Sequence, residues 1–284
     1  MLNIINADLF RIRKGKAFYA TLLGILGIIL FTAILLKLIS SENFLNQTTN
    51  GSGIITIESD VDDLQDSTEA LRELIPENGS QFAFSMYGDV GNIITMFTLV
   101  FIITVFGADY SSGAYKNVLS YHSKRSKIYL SKLLLSSLLA VSLLFILGLI
   151  SLAVGGVFFG FHGYTITNLL PAITAIALMI PILLSFVSIG YCLIAFTKKV
   201  SATIATYIVG ILACGTLLQI AILMFPTKQW IQRLDLMTSM GKMTKYQSLS
   251  AVEILTPIGL ALAIIILTTG IGIYKYQKTD FDFN

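Results

Sequence analysis

Tyr115, Val118, Leu119 and His122 recur at i, i+3, i+4 and i+7 in a polar, basic stretch, 106–132, that separates two long apolar runs. That spacing sets all four on one face of a short helix, with Ser111 or Ser112 as its cap. Lys116, Lys124, Arg125 and Lys127 surround the face, and Ser123-Lys-Arg-Ser126 interrupts the helix before a second one starts near Ser126. An apolar stripe with a cationic border is the chemistry of recognition, because a short helix held rigidly at both ends can lie in a groove on another protein. Catalytic chemistry finds no comparable footing. The chain has no G-x-x-x-x-G-K-[ST] loop, no H-E-x-x-H and no G-x-S-x-G, and neither Gly15-Lys16 nor Gly241-Lys242 has the upstream glycine of a phosphate loop. No catalytic residue and no metal site is expected. Cys192 and Cys214 fall inside apolar runs, which reads as two buried thiols.

The elements that position this stretch follow from composition. With 55% apolar and 12% charged residues and a mean hydropathy of +0.80, the chain has too little polar surface for a soluble globule of 284 residues, so it belongs in a bilayer. A net charge of +3, spread along the chain, does not make the basic patch that nucleic acid requires. About 20 apolar residues cross a bilayer as a helix, and six segments qualify: 17–36, 91–108, 133–159, 169–196, 201–225 and 254–274. The first is too long, and lacks the small-residue site, for a cleaved signal peptide. Pro171, Pro181 and Pro257 fall within or at the start of spans, where neighbouring helices can satisfy the freed carbonyls. Gly156 and Gly160 offer a small surface for close approach of another helix.

Cation placement orients the spans. With both termini cytosolic, the inner connections hold thirteen of the 19 Lys and Arg and the outer connections six, which favours an N-in, C-in topology. Residues 1–16 place Leu2, Ile5, Leu9 and Ile12 at helical spacing among Arg11, Arg13 and Lys14, a pattern for an amphipathic helix on the inner leaflet. The outer loop 37–90 carries ten of the 16 acidic residues, among them Asp60, Asp62 and Asp66. These lack the glycine and terminal glutamate of a calcium loop; the charge run reads first as a solvated face, with an acceptor for cationic peptides or divalent ions as the alternative. In the last outer segment, 226–253, Trp230, Leu234 and Met237 at i, i+4 and i+7 predict a short helix half-sunk in the outer interface.

Taken together, these residues resemble the type-2 ABC exporter permeases, the six-span membrane subunits that work with a separate ATPase in bacitracin, lantibiotic or peptide export or immunity. The matching residues are Asp109 at the end of span two, Ser112-Gly113, Lys116-Asn-Val-Leu-Ser120, Ser123-Lys-Arg125, and Tyr129-Leu-Ser-Lys132 opening span three. Asp109 stands where the family commonly has Glu, which keeps the charge. The resemblance implies an all-α transmembrane domain over 1–284, with a cytosolic coupling helix in 109–132. Tyr115, Lys116, Val118, Leu119, His122 and Arg125 would dock on the ATPase, and Lys198 and Lys199 in 197–201 would make a second cytosolic contact. It also implies a second permease copy in a homo- or heterodimer, a bacterial plasma-membrane setting, and an amphipathic peptide, antibiotic or lipid-like substrate. This chain would bind no cofactor of its own, ATP and magnesium being used by the partner.

Two other classes compete. A gradient-driven transporter would usually carry ionisable groups at mid-membrane depth, whereas Gln219 is the most polar large side chain within these spans. A receptor or structural membrane subunit would share the spans and lack only the docking helix.

Overall fold

Uninterrupted runs of Leu, Ile, Ala and Val dictate helices here, since a single helix satisfies every backbone donor and acceptor without help from water. The computed structural model describes residues 2–40, 75–88, 100, 102–103, 107, 125–162, 164–225 and 229–278. In chain order the helices are α1 (Leu2–Lys14), α2 (Lys16–Ile39), α3 (Gly79–Gly88), α4 (Arg125–Phe159), α5 (Ile166–Thr197) and α6 (Val200–Met224). They are followed by α7 (Gln229–Gln232), α8 (Leu236–Lys242), a 3-10 turn (Met243–Ser248) and α9 (Ala251–Lys278). The described residues contain no strand. Among the described residues five helices, α2, α4, α5, α6 and α9, are long and apolar enough to cross a membrane, which makes this a multi-pass helical membrane protein. At 35 residues, α4 is roughly 52 Å long and outreaches the ~30 Å hydrocarbon layer.

The core is built on α5, which packs along α9 and against α4. Met179, Ile182, Leu183 and Val187 of α5 are buried with Leu139, Leu143 and Leu147 of α4 and Ala261 of α9. Serines inside this core donate to carbonyls of their own helices, as Ser136 does to Leu133 at 2.7 Å and Ser185 to Ile182 at 2.7 Å, so they cost little to bury. Thr268 of α9 donates to Ser188 of α5 at 2.9 Å and ties the two helices directly. Pro171 and Pro181 lie inside α5, and Pro257 inside α9, without ending either helix.

Four features differ from the sequence reading. Residues 79–88, assigned there to the acidic outer loop, form α3 and lie along the second half of α4. The cause is packing: Phe82, Ala83, Met86 and Tyr87 are buried, Phe82 stacks on Phe159 at 5.2 Å, and Tyr87 donates to the Leu144 carbonyl at 3.0 Å. Within 91–108 the described positions, 100, 102, 103 and 107, are helical, with Ile102 and Ile103 buried.

The close helix approach falls on Gly155 rather than on the Gly156 and Gly160 pair. A Cβ on Gly155 would sit 2.5 Å from the Gly79 carbonyl oxygen, whereas Gly156 lies beneath the Phe161 ring and Gly160 closes α4 at φ +88°. Left-handed backbone of that kind favours glycine. The segment predicted as one outer helix through Trp230, Leu234 and Met237 is broken into α7 and α8. Asp235 breaks it by capping α8, accepting from the Met237 and Thr238 amides at 3.1 and 3.2 Å. Finally, only Cys192 is a buried thiol. Cys214 is exposed, because α6 buries just Thr203 and Tyr207.

The glycine contact sets a testable asymmetry. Gly155→Ala is expected to lower stability by about 1–3 kcal/mol through overpacking against α3. Gly259→Ala, whose new methyl would meet nothing within 4 Å, should be neutral or slightly stabilising. Thermal unfolding of the two variants in the same detergent measures the difference.

Candidate functional site

The described residues that border 109–124 gather at one end of the bundle. Lys132 lies within α4, and its ammonium meets the Asp8 carboxylate of α1 at 3.1 Å, with only 4% and 13% of the two side chains exposed. An ammonium buried among Leu and Ser of an apolar helix needs such a partner, since uncompensated charge away from water costs several kcal/mol. The pair therefore pins α1 across the start of α4. Gly15, with extended backbone at φ −74° and ψ 131°, then separates α1 from α2 and lets the chain turn into its first span.

Two further contacts close the same end. Arg125, the first residue of α4, donates to the Gln277 carbonyl near the end of α9 at 3.1 Å, and Lys275 lies over the Phe196 ring at 5.4 Å. Beneath them Tyr129 packs against Tyr191 of α5 at 5.0 Å and Tyr276 of α9 at 5.8 Å, all three rings being buried. Gly272 leaves the space in which the Tyr129 hydroxyl sits. The turn from α5 to α6 is at this end too. Lys198 adopts left-handed backbone at φ 54° as the cap of α5, and the next residue, Lys199, starts α6 with its carbonyl accepting from Thr203. Both lysine side chains are exposed.

Sequence-derived site residues divide accordingly. Asp109, Tyr115, Lys116, Val118, Leu119 and His122 lie outside the described residues. Arg125, Lys198 and Lys199 fall at the α1 end. Trp230, Leu234 and Met237 belong to the opposite end, where Trp230 is exposed and the other two are partly buried. There the buried anchors are Ile231, Leu236, Met240 and Met243 instead. Tyr246 of the 3-10 turn and Thr174 of α5 share a hydrogen bond of 3.1 Å, and the Thr174 hydroxyl holds the Tyr246 phenol below its ordinary range. Asp8 and Asp235 were not singled out by sequence reasoning. Asp235, followed by Leu236 and Met237, carried a capping signal, while nothing local marked Asp8. Among the described residues no three His, Cys, Asp or Glu side chains gather as metal ligands would.

A helical, multi-pass membrane chain with one end cross-tied by polar contacts is the class that fold and geometry define. The chain belongs to the family described as proteins of unknown function (DUF2705), whose model matches residues 68–281. A comparison with curated proteins finds no match.

If the Asp8 and Lys132 pair fixes α1, the two single variants and their combination will behave differently. Asp8→Leu takes the carboxylate away from the buried ammonium and is expected to cost on the order of 3 kcal/mol, whereas Asp8→Leu with Lys132→Met removes both charges and regains most of that loss. Thermal unfolding of the three variants checks this. Additive losses in the double variant would show that the two groups do not support one another.

Proposed function

We propose that this chain is the permease subunit of an ATP-driven ABC exporter, moving an amphipathic peptide, antibiotic or lipid-like substrate outward. The observation that carries the reading is the construction of the α1 end. The residues that flank 109–124 are joined to α1 and α9 by a buried ion pair and an arginine-to-carbonyl bond, and to α5 by a tyrosine cluster. A short helix mounted on such a base passes force into the spans instead of bending away from it. Together with the Ser123-Lys-Arg125 and Tyr129-Leu-Ser-Lys132 motifs, this supports a coupling helix that receives the push of a cytosolic ATPase.

In this reading the α1 end is cytosolic and the α8 end external, and residues 91–108 supply the sixth span of an N-in, C-in domain. The cations support that sidedness. Arg13, Lys14, Arg125, Lys127, Lys198, Lys199, Lys275 and Lys278 belong to the α1 end, and Asp8 is its only carboxylate among the described residues. Tyr115, Lys116, Val118, Leu119, His122 and Arg125 then contact the ATPase, and Lys198 and Lys199 provide a smaller second contact. Nucleotide and magnesium are handled by that partner, and a second permease copy, identical or different, completes the transporter in a bacterial plasma membrane.

Affinity purification of the tagged chain from its native membranes is expected to recover a protein with a G-x-x-x-x-G-K-[ST] loop, and Leu119→Asp to abolish that recovery by placing a charge on the docking face. Consistent absence of any such protein from the wild-type preparation overturns the proposal. A cysteine at Lys124 should resist an impermeant thiol reagent in intact cells and react in inverted vesicles. Labelling from outside reverses the topology and removes the basis for docking.

A further inference from the structure

A cavity of about 710 Å³ lies between α5, α6 and the segment that joins α7 to α8. Its walls are Phe186, Ile189 and Leu193 of α5, Ile211 and Leu218 of α6, and Ile264 of α9. Tyr207 lines it at one end of α6, and Gln219, Asp235 and Thr238 at the other. Tyr207 and Gln219 lie twelve positions apart along α6, a length of roughly 18 Å. The cavity is therefore long, apolar along its body and polar at one mouth.

The carboxylate at that mouth belongs to a residue only 7% exposed. One oxygen, Oδ1, accepts both capping amides of α8, while Oδ2 accepts from the Thr238 hydroxyl at 2.6 Å and the Gln219 amide at 3.5 Å. Both Oδ2 partners line the cavity, so this oxygen is turned to the same side as they are. Capping alone requires one oxygen. Among the described residues the partners of Asp235 are these hydrogen-bond donors and no Lys or Arg pairs with it, so a buried carboxylate stands at the rim of a hydrocarbon-lined space.

We propose that this cavity binds a single-chain amphiphile with a cationic amine head, the head meeting Asp235 Oδ2 and the chain lying along α6 toward Tyr207. Charge complementarity selects the head, because a hydrogen-bonded ammonium gives a carboxylate in low dielectric what a neutral or anionic head does not. Shape selects the chain. α6 packs loosely, and Gly210 and Gly215 have nothing within 4 Å of where a Cβ would stand, so one flank of the cavity is open for lateral arrival from the bilayer. The binding site rests on the membrane setting of α6. As a statement about cargo it rests also on the exporter reading, and the two are tested separately.

Binding of dodecylamine, dodecanol and dodecyl sulfate to the purified full chain in zwitterionic nanodiscs, with empty nanodiscs subtracted, provides the test by isothermal titration. Dodecylamine is expected to bind at least about tenfold more tightly than the other two. Asp235→Asn keeps a capping side chain and should weaken dodecylamine about tenfold while leaving dodecanol unchanged. Gly215→Leu extends a side chain into the cavity and should weaken dodecylamine and dodecanol alike, in a protein of unchanged thermal stability. Equal affinity of wild type and Asp235→Asn for dodecylamine overturns the proposal, as does a cavity that takes only zwitterionic lipid or is closed by a second copy of the chain, since neither gives amine-dependent heat. No ATPase is present in this measurement, so amine binding without export would leave the site standing and remove only its role in transport.

Discussion

A lysine inside an apolar helix must be met by a carboxylate, and the arrangement of the α1 end depends on how that demand is satisfied. The ammonium of Lys132 lies eight residues into α4 and is almost fully enclosed. Asp8 answers it from a helix that precedes the first span, so α1 must lie across α4 at that level and no other. A buried ion pair of this kind is a weak source of net stability, because desolvation offsets most of the attraction. Its effect is on specificity. Any other docking of α1 would take the carboxylate away from an ammonium enclosed in α4, and that loss is costly. The amphipathic character of α1 would let it rest anywhere on an interface, and the ion pair is what reduces that freedom to one position.

The α8 end obeys a different constraint. Here α3 approaches α4 so closely that only glycine fits on both sides, Gly79 against Gly155, and the Gly79 amide donates to the Gly160 carbonyl at 3.2 Å. Tyr87 reaches across the gap left by Gly148 to the Leu144 carbonyl. Tyr164 adds a donor to the Leu152 carbonyl at 2.6 Å. The two tyrosine bonds go to carbonyls already accepting within α4, which have a second lone pair to offer. Close backbone approach and dispersion do here what charge does at the other end. One end is thus fixed by a few polar contacts of high cost if broken, the other by many small contacts over a glycine-lined surface.

What was legible in the sequence followed from the strength of the local signal. The spans at 133–159, 169–196, 201–225 and 254–274 correspond to α4, α5, α6 and α9 because twenty or more apolar residues in a row leave no competing structure. Two of them run well beyond the apolar run in the structure, as α4 begins at Arg125 and α9 continues to Lys278, since a helix does not stop where hydrocarbon does. Residues 79–88 were missed because Ser80, Gln81 and Ser85 dilute the apolar pattern next to an acidic segment, and only the presence of α4 shows that Phe82 and Met86 are core. Asp8 was illegible for a similar reason. Its partner is 124 residues away, and in an amphipathic stretch a carboxylate looks like one more polar residue. The outer helix failed on a local competition, in which the capping preference of Asp235 prevailed over a continuous 3.6-residue rhythm from Trp230 to Met237.

Among the described residues, α6 is the least buried of the five helices long enough to cross a membrane. α4, α5 and α9 share the buried core, the tyrosine cluster and the Ser188 bond, so separating any of them exposes large side chains and breaks hydrogen bonds. Among the described residues α6 is held by less: Thr203 and Tyr207 are its buried residues, Val200 packs against Gly107, Thr197 and Thr203 share a hydroxyl contact at the turn, and Gln219 reaches Asp235 at 3.5 Å near its other end. A displacement follows the path on which fewest contacts are lost. Pivoting α6 about the tight turn at Lys198 and Lys199 would leave the contacts among α4, α5 and α9 in place and change the width of the space between α5 and α6. That space is the cavity itself. In the exporter reading proposed above, a push entering beside Arg125 would meet the tied α4, α5 and α9 first, and the volume beside Asp235 is where α6 would resist it least.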